Sequence, residues 1–147
     1  MKRLIAVVVF IFSVSLCYSQ DYLGGRINEC VSYISKSVPN GFHRSDRTTY
    51  INDTGDIVLT IDNGKVIIST NGRAFERTNE AHQWQAQFYE YFENNNWSYS
   101  DLSESGVEVY VKNGIYACIL RPFRRDDGLI AALVMFLDDI NNHCCPV

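Results

Sequence analysis

Apolar residues recur at spacings of three and four through Asn79–Trp97, NEAHQWQAQFYEYFENNNW. That spacing gathers Ala81, Trp84, Phe88, Tyr91 and Phe92 on one face of an α-helix. Glu80, His82, Gln83, Gln87, Glu90 and Glu93 fall largely on the other face. Asn94, Asn95 and Asn96 end the helix, because asparagine competes for backbone hydrogen bonds and tolerates left-handed geometry. An earlier helix with a thinner stripe is predicted over Asp21–Val38. There Leu23, Ile27, Cys30, Val31 and Ile34 lie close to one face, and Pro39-Asn40-Gly41 follows as a stop. Phe42–Thr49 is polar and reads as irregular.

Elsewhere the pattern has the period of strands. Ile57–Ile61 and Val66–Ser69 flank Asn63-Gly64, and Asn-Gly between β-branched runs is a strong hairpin signal because a type I′ turn needs positive φ at both central residues. A two-residue turn pairs Asp62 with Lys65, Ile61 with Val66 and Leu59 with Ile68. Ile57, Leu59, Ile61, Val66 and Ile68 then share the face assigned to the core, and a slip of one residue would invert it. Asp53–Asp56 and Asn71-Gly72 read as turns, with a further strand near Ala74-Phe75. Val107–Lys112 alternates cleanly up to Asn113-Gly114, and the same arithmetic pairs Val111 with Tyr116, Val109 with Cys118 and Val107 with Leu120. All six side chains share a face, which points Cys118 into the core. Leu129–Leu137 is apolar all round; Asp126-Asp127-Gly128 before it looks like a hairpin turn, and Asp138-Asp139 would sit badly at a helix C-terminus, so a buried strand is predicted. The expected fold is α+β: an antiparallel sheet of hairpins and a meander with two helices packed on one face, as a single small domain.

The first residues change the boundaries. Met1-Lys2-Arg3 is basic, Leu4–Val14 is an apolar run of eleven, and small residues follow at Cys17 and Ser19. This is the layout of a secretory signal peptide, and the run is short of the ~18 apolar residues that a membrane-spanning helix needs. Residues 1–19 therefore read as a cleavable signal, with Gln20 the new N-terminus, or Tyr18 if cleavage follows Cys17. Lipidation of Cys17 fits less well, since bulky Leu16 precedes it. Residues 20–147 form one domain with a short cysteine-containing tail. Loss of Lys2 and Arg3 leaves 11 basic against 17 acidic residues, moving the net charge from −4 to −6. Such a chain lacks the basic footprint that a nucleic acid partner requires, and no second apolar stretch of membrane length appears.

Four cysteines outlast cleavage: Cys30, Cys118, Cys144 and Cys145. In an exported chain an even number favours disulfides. Neighbouring cysteines seldom reach the required geometry, so Cys30 and Cys118 are expected to pair with the tail or with each other. His143-Cys144-Cys145 could ligate a metal only if Cys30 and Cys118 converged on it, and no cofactor motif is present.

Candidate chemistry is sparse. Arg121, Phe123, Arg124 and Arg125 form the densest basic cluster, able in principle to grip a carboxylate or phosphate, or else to pair with Asp126 and Asp127 in a solvated turn. His43, Ser45 and Asp46 are adjacent in sequence, which is no sign of a triad, since triads assemble in space. Ser103-Glu104-Ser105-Gly106 does not match the nucleophile elbow. Tyr50, Tyr89, Tyr99, Tyr110 and Trp97 fall off the assigned core faces or near loops, as at a binding surface. Three readings follow: an exported, non-enzymatic domain that binds a protein or small ligand; a small secreted hydrolase using His43 or His82; and a secreted enzyme inhibitor.

Overall fold

The computed structural model describes residues 24–138. They form two helices, α1 over residues 24–33 and α2 over Thr78–Asn94, and nine strands. These are β1 (Phe42–Arg44), β2 (Thr49–Asn52), β3 (Ile57–Asp62), β4 (Lys65–Phe75), β5 (Ser98–Tyr99), β6 (Val107–Lys112), β7 (Ile115–Leu120), β8 (Phe123–Arg124) and β9 (Ile130–Leu137). All strands join one antiparallel sheet in the order β1-β2-β3-β4-β9-β7-β6-β5, with β8 also paired to β9. The α+β expectation holds, and both helices lie on one face. No helix among the described residues is long and apolar enough to cross a membrane.

β9 is the centre of the sheet. It pairs with β4 along eight residues, from Ile68↔Leu137 to Phe75↔Ile130, and with β7 on its other side. Seven of its eight residues are buried, which is why the segment reads apolar all round. Ile130, Ala132, Val134 and Phe136 face the helices and meet Ala81, Trp84, Phe88 and Phe92 of α2 with Ile27, Cys30 and Ile34 of α1. Phe92 is the hub of this layer: its ring lies 5.0 Å from Trp97, 5.1 Å from Tyr110 and 6.3 Å from Phe136. Tyr91, expected in the stripe, lies at its edge against α1, with its hydroxyl bonded to Asn28.

The ends of α2 follow from local chemistry. Arg77 N–H donates to Glu80 Oε2 at 3.2 Å, satisfying a donor at the N-terminus. Asn95 donates to Tyr91 O through both its backbone and its side chain, Asn96 adopts φ 61°, and Lys112 Nζ donates to Asn95 O at 2.6 Å. α1 ends at Tyr33, five residues before the predicted Val38, because Ser35 turns left-handed (φ 65°) and donates to Val66 O at 2.8 Å. Residues 21–23 of that predicted helix lie outside the described residues. Arg26 ties α1 to the sheet. Its guanidinium reaches both Asp56 oxygens at 2.7 Å, and Asn52 Nδ2 donates to Asp56 at 2.8 Å. Burial works against the Asp56 charge, but hydrogen bonds from Arg26, Thr54 and Asn52 win and hold its carboxyl down to about 2.

Four expectations need correction. The β3–β4 hairpin begins as predicted, Asp62 with Lys65 and Ile61 with Val66, but Ile67 is bulged out and Thr60 then pairs with Ile68 and Leu59 with Ser69. One extra residue inverts every later position of β4, so Ile68 turns to the outer face, and polar Ser69 and Asn71 are buried on the helix side. Asn71-Gly72 is not a turn but mid-strand, and Ala74-Phe75 continues the same strand. A Cβ at Gly72 would come within 2.7 Å of Leu133 Cδ2, so any larger residue there obliges the Leu133 side chain to move. Phe42–Thr49 is not wholly irregular, since β1 occupies its first three residues.

The β6–β7 register is the predicted one, Val111↔Tyr116, Val109↔Cys118 and Val107↔Leu120. The face is not. Ala117 and Ile119 look toward the helices, whereas Val109, Cys118, Met135 and Leu137 form a second cluster on the outer face, with Ile68, Val107, Tyr116 and Leu120 packed around it. β7 is apolar on both faces, so alternation alone could not tell them apart.

Candidate functional site

A cleft of about 440 Å³ opens between α2 and the loop that enters β6. Its α2 wall carries His82, Gln85 and Tyr89, and its opposite wall carries Tyr99, Glu104, Glu108 and Arg121. The walls are held by backbone chemistry. Gln85 is 3 % exposed, and its side-chain amide donates to Leu120 O at 2.7 Å, pinning α2 where β7 ends. Arg121 N donates to Gly106 O at 2.8 Å, and Gly106 sits at φ 86°, which an L side chain rarely adopts. Glu104 and Val107 exchange backbone hydrogen bonds, and the Ser103 hydroxyl donates to Ser100 O while accepting from Val109 N. The loop is therefore a fixed wall.

Tyrosines floor the cleft. Tyr99 pairs with Tyr110 across β5 and β6, their rings edge-to-face at 5.4 Å. Tyr110 in turn meets Tyr89 at 6.1 Å and stacks on Phe92 at 5.1 Å. Tyr99 remains 62 % exposed at the outer end of this chain of rings. Burial, then the charge and hydrogen bond of Glu108, push Tyr89 ionisation well above the usual tyrosine range. Tyr89 is thus a neutral donor to Glu108. Burial, with Glu108 and Glu93, moves Tyr110 in the same direction. The arrangement offers an exposed ring face, two carboxylates, an imidazole and a guanidinium on a preorganised wall. It suits a ligand with one apolar face and hydrogen-bond donors at its edge.

The structure divides the arginine cluster. Arg121 lines the tyrosine cleft, while Arg125 lines a separate, shallower concavity on the outer face, of about 590 Å³, floored by Thr70, Gly72, Ala74 and Ala131. Arg125 is also ion-paired with Asp127 at 3.0 Å, Arg124 donates to Gly128 O, and Phe123 is exposed in β8. The four residues therefore do not converge on one anion. His43 bonds to Asp53, but both are 75 % exposed on the β1–β2 edge, outside the clefts described above. His82 instead shares its cleft with Glu104 and Glu108. Of the sequence-selected aromatics, Tyr89, Tyr99 and Tyr110 are brought together, whereas Trp97 packs onto Phe92 and Phe136.

Gln85 and Glu108 are the site residues that sequence reasoning missed. A glutamine in line with Ala81 and Phe88 on the apolar stripe was the available signal for the first; a charge facing the helices from β6 had none. Cys30 is fully buried between α1 and β4, and burial pushes its thiol up to about 12. No disulfide joins Cys30 to Cys118, which lie on opposite faces of the sheet. No group of three or more metal-ligating side chains occurs among the described residues. The signal segment, His143, Cys144 and Cys145 lie outside them. Comparison with family models, curated proteins and solved structures returns no match.

Proposed function

We propose that this chain is an exported, non-enzymatic binding domain whose protein or small-molecule ligand seats in the tyrosine cleft between α2 and β6. The observation that carries the reading is exposed Tyr99, standing on the ring chain through Tyr110 to Phe92 and beside the Glu108–Tyr89 pair. Exposed aromatic residues are usually liabilities for a free surface, and rigid ones concentrate binding energy. The export half of the proposal rests on the basic start, apolar run and small residues of 1–19. N-terminal sequencing of the protein recovered outside the cytosol should begin at Gln20 or Tyr18.

A screen of glycans, short peptides and small amphipathic molecules, read by chemical-shift perturbation, tests the site. Ligands should shift resonances of Tyr99, Tyr110 and Glu108, and Tyr99→Ala should weaken them roughly 30-fold, the equivalent of a ~2 kcal/mol hot spot. Ligands that bind Tyr99→Ala and Glu108→Gln as tightly as the parent would refute the assignment. A second reading, hydrolysis, is favoured only by His82 sharing this cleft with Glu104 and Glu108. Ester or glycoside turnover that disappears in His82→Ala would replace the binding reading.

A further inference from the structure

Tyr89 and Tyr99 line the cleft between α2 and β6, and Tyr110 contacts both. Tyr110 is turned 84° from Tyr99 and 65° from Tyr89, so the three rings offer their faces in more than one direction. A ring face is the negative pole of the aromatic quadrupole and attracts cations. Glu104 and Glu108 stand on the wall beside these rings. Among the described residues, ion pairs join Arg26 with Glu29 and Asp56, His43 with Asp53, and Arg125 with Asp127, so neither wall carboxylate is paired with a cation. We propose that the ligand group seated in this cleft is an alkylammonium, a protonated amine on an aliphatic stem, held against the tyrosine rings by Glu108 and by the carbonyl oxygen of Gln85. The proposal rests on the reading of the cleft as the binding site and names the chemistry that the site takes.

Gln85 is the independent sign that the ligand brings N–H donors. It lines the cleft yet is only 3 % exposed. Its amide nitrogen donates to Leu120 O at 2.7 Å and to Leu133 O at 3.5 Å. Backbone carbonyls only accept, so the nitrogen is fixed on that side and the oxygen on the other. That oxygen accepts no hydrogen bond from the described residues, and it is not sealed in the interior. A poorly hydrated acceptor favours a ligand that brings a donor to it.

The charge of the floor selects a cation among donors. Burial, Glu108 and Glu93 all push Tyr110 ionisation up, and no cation of the described residues offsets them there. Arg121 lines the same cleft but does not act on this ring. Glu108 accepts the Tyr89 hydroxyl and, as a carboxylate, keeps further acceptor sites for a ligand. A quaternary ammonium would find the ring faces but leave the Gln85 oxygen without a donor. A neutral amide would bring a donor but leave the Glu108 charge uncompensated. A primary ammonium meets both, and its aliphatic stem lies along exposed Tyr99, as lysine stems do on apolar surface.

The chemistry has two sources, the lysine side chain of a partner protein and a free amine. The full chain is therefore titrated, with chemical shifts as the readout, against acetyl-Gly-Lys-Gly-amide, the same peptide acetylated on its lysine, n-butylammonium and butyrate. Both ammonium probes should shift Tyr99, Tyr110 and the Gln85 side-chain amide saturably, and should weaken in about 1 M salt, where the screening length is ~3 Å. Tighter binding of the peptide assigns a protein lysine, and tighter binding of n-butylammonium assigns a free amine. Tyr99→Leu, which keeps apolar bulk, should weaken both probes roughly fivefold, the scale of one cation–π contact. Glu108→Gln, which keeps an oxygen for the Tyr89 hydroxyl, should weaken them roughly threefold. Unchanged resonances of Ile27 and Leu59 confirm that each variant is folded. Equal binding of the acetylated peptide or of butyrate, or unchanged affinity in both variants, would overturn the cation while leaving the cleft a binding site. Silence from both ammonium probes would overturn it too; uncharged hits at Tyr99 in the broader screen would then preserve the cleft reading, and their absence would end both.

Discussion

Replacing Phe92 by alanine removes the ring that joins the helix layer to the tyrosine cleft. The residue is wholly buried and touches four aromatic neighbours, Tyr91, Trp97, Tyr110 and Phe136, at centroid distances from 5.0 to 6.3 Å. Loss of a buried phenylalanine costs ~3–5 kcal/mol through lost transfer energy and the cavity left behind. The strands on either side of Phe92 are paired along their length and resist collapse into the gap, which favours the upper half of that range. A domain of this size has ~5–15 kcal/mol in all. With a urea slope of ~2 kcal/mol per molar, a loss of ~4 kcal/mol should lower the midpoint by ~2 M. Trp97, 5.0 Å from the ring, supplies the fluorescence signal. Phe92→Leu keeps most of the volume and should cost less than ~1.5 kcal/mol. A midpoint for Phe92→Ala within ~0.5 M of the parent at equal slope, under ~1 kcal/mol on the same conversion, would mean that the ring is not the hub and that the stripe does not face the sheet.

Asp56, held down to about 2 by Arg26, Thr54 and Asn52 against its own burial, lends stability that is complete above the unfolded carboxyl value and is lost as pH falls from ~4 toward 2. Asp56→Asn should flatten that acid limb of the melting temperature against pH; an unchanged limb would exclude the Arg26 clamp as its source. Gly72→Val drives a side chain into Leu133, whose Cδ2 would lie 2.7 Å from the new Cβ, and should cost ~1–3 kcal/mol. Adding Leu133→Ala should recover part of that loss, with a coupling of at least ~0.5 kcal/mol in a double-mutant cycle; strict additivity would show that Gly72 is required for another reason.

Much of the framework could be read from local pattern. The stripe of α2, its asparagine stop, both Asn-Gly hairpins and the complete β6–β7 register depend on residues within a few positions of one another, where side-chain period and turn geometry leave little freedom. The β3–β4 register beyond Ile61 was not legible, because the bulge at Ile67 carries no sequence mark. Its effect, polar Ser69 and Asn71 inside and Ile68 outside, runs against the hydrophobic pattern. Nor was the cleft legible. His82 and Arg121 were picked out separately, and only the fold sets them on facing walls.

By itself, then, the order of residues determined both helices, the strands β3, β6, β7 and β9, where the two Asn-Gly hairpins turn, and that a sheet would carry two helices, but not β1, β5, β8 or the full length of β4. Those outcomes rest on contacts between near neighbours in the chain. Tertiary structure alone decided that β4 and β9 would close the two halves into one sheet, which face of β6 and β7 the helices would take, and that Tyr89, Tyr99, Glu108 and Arg121 would share a cleft. A strand that is apolar on both sides satisfies its local pattern equally well either way up, and only packing against distant partners breaks the tie.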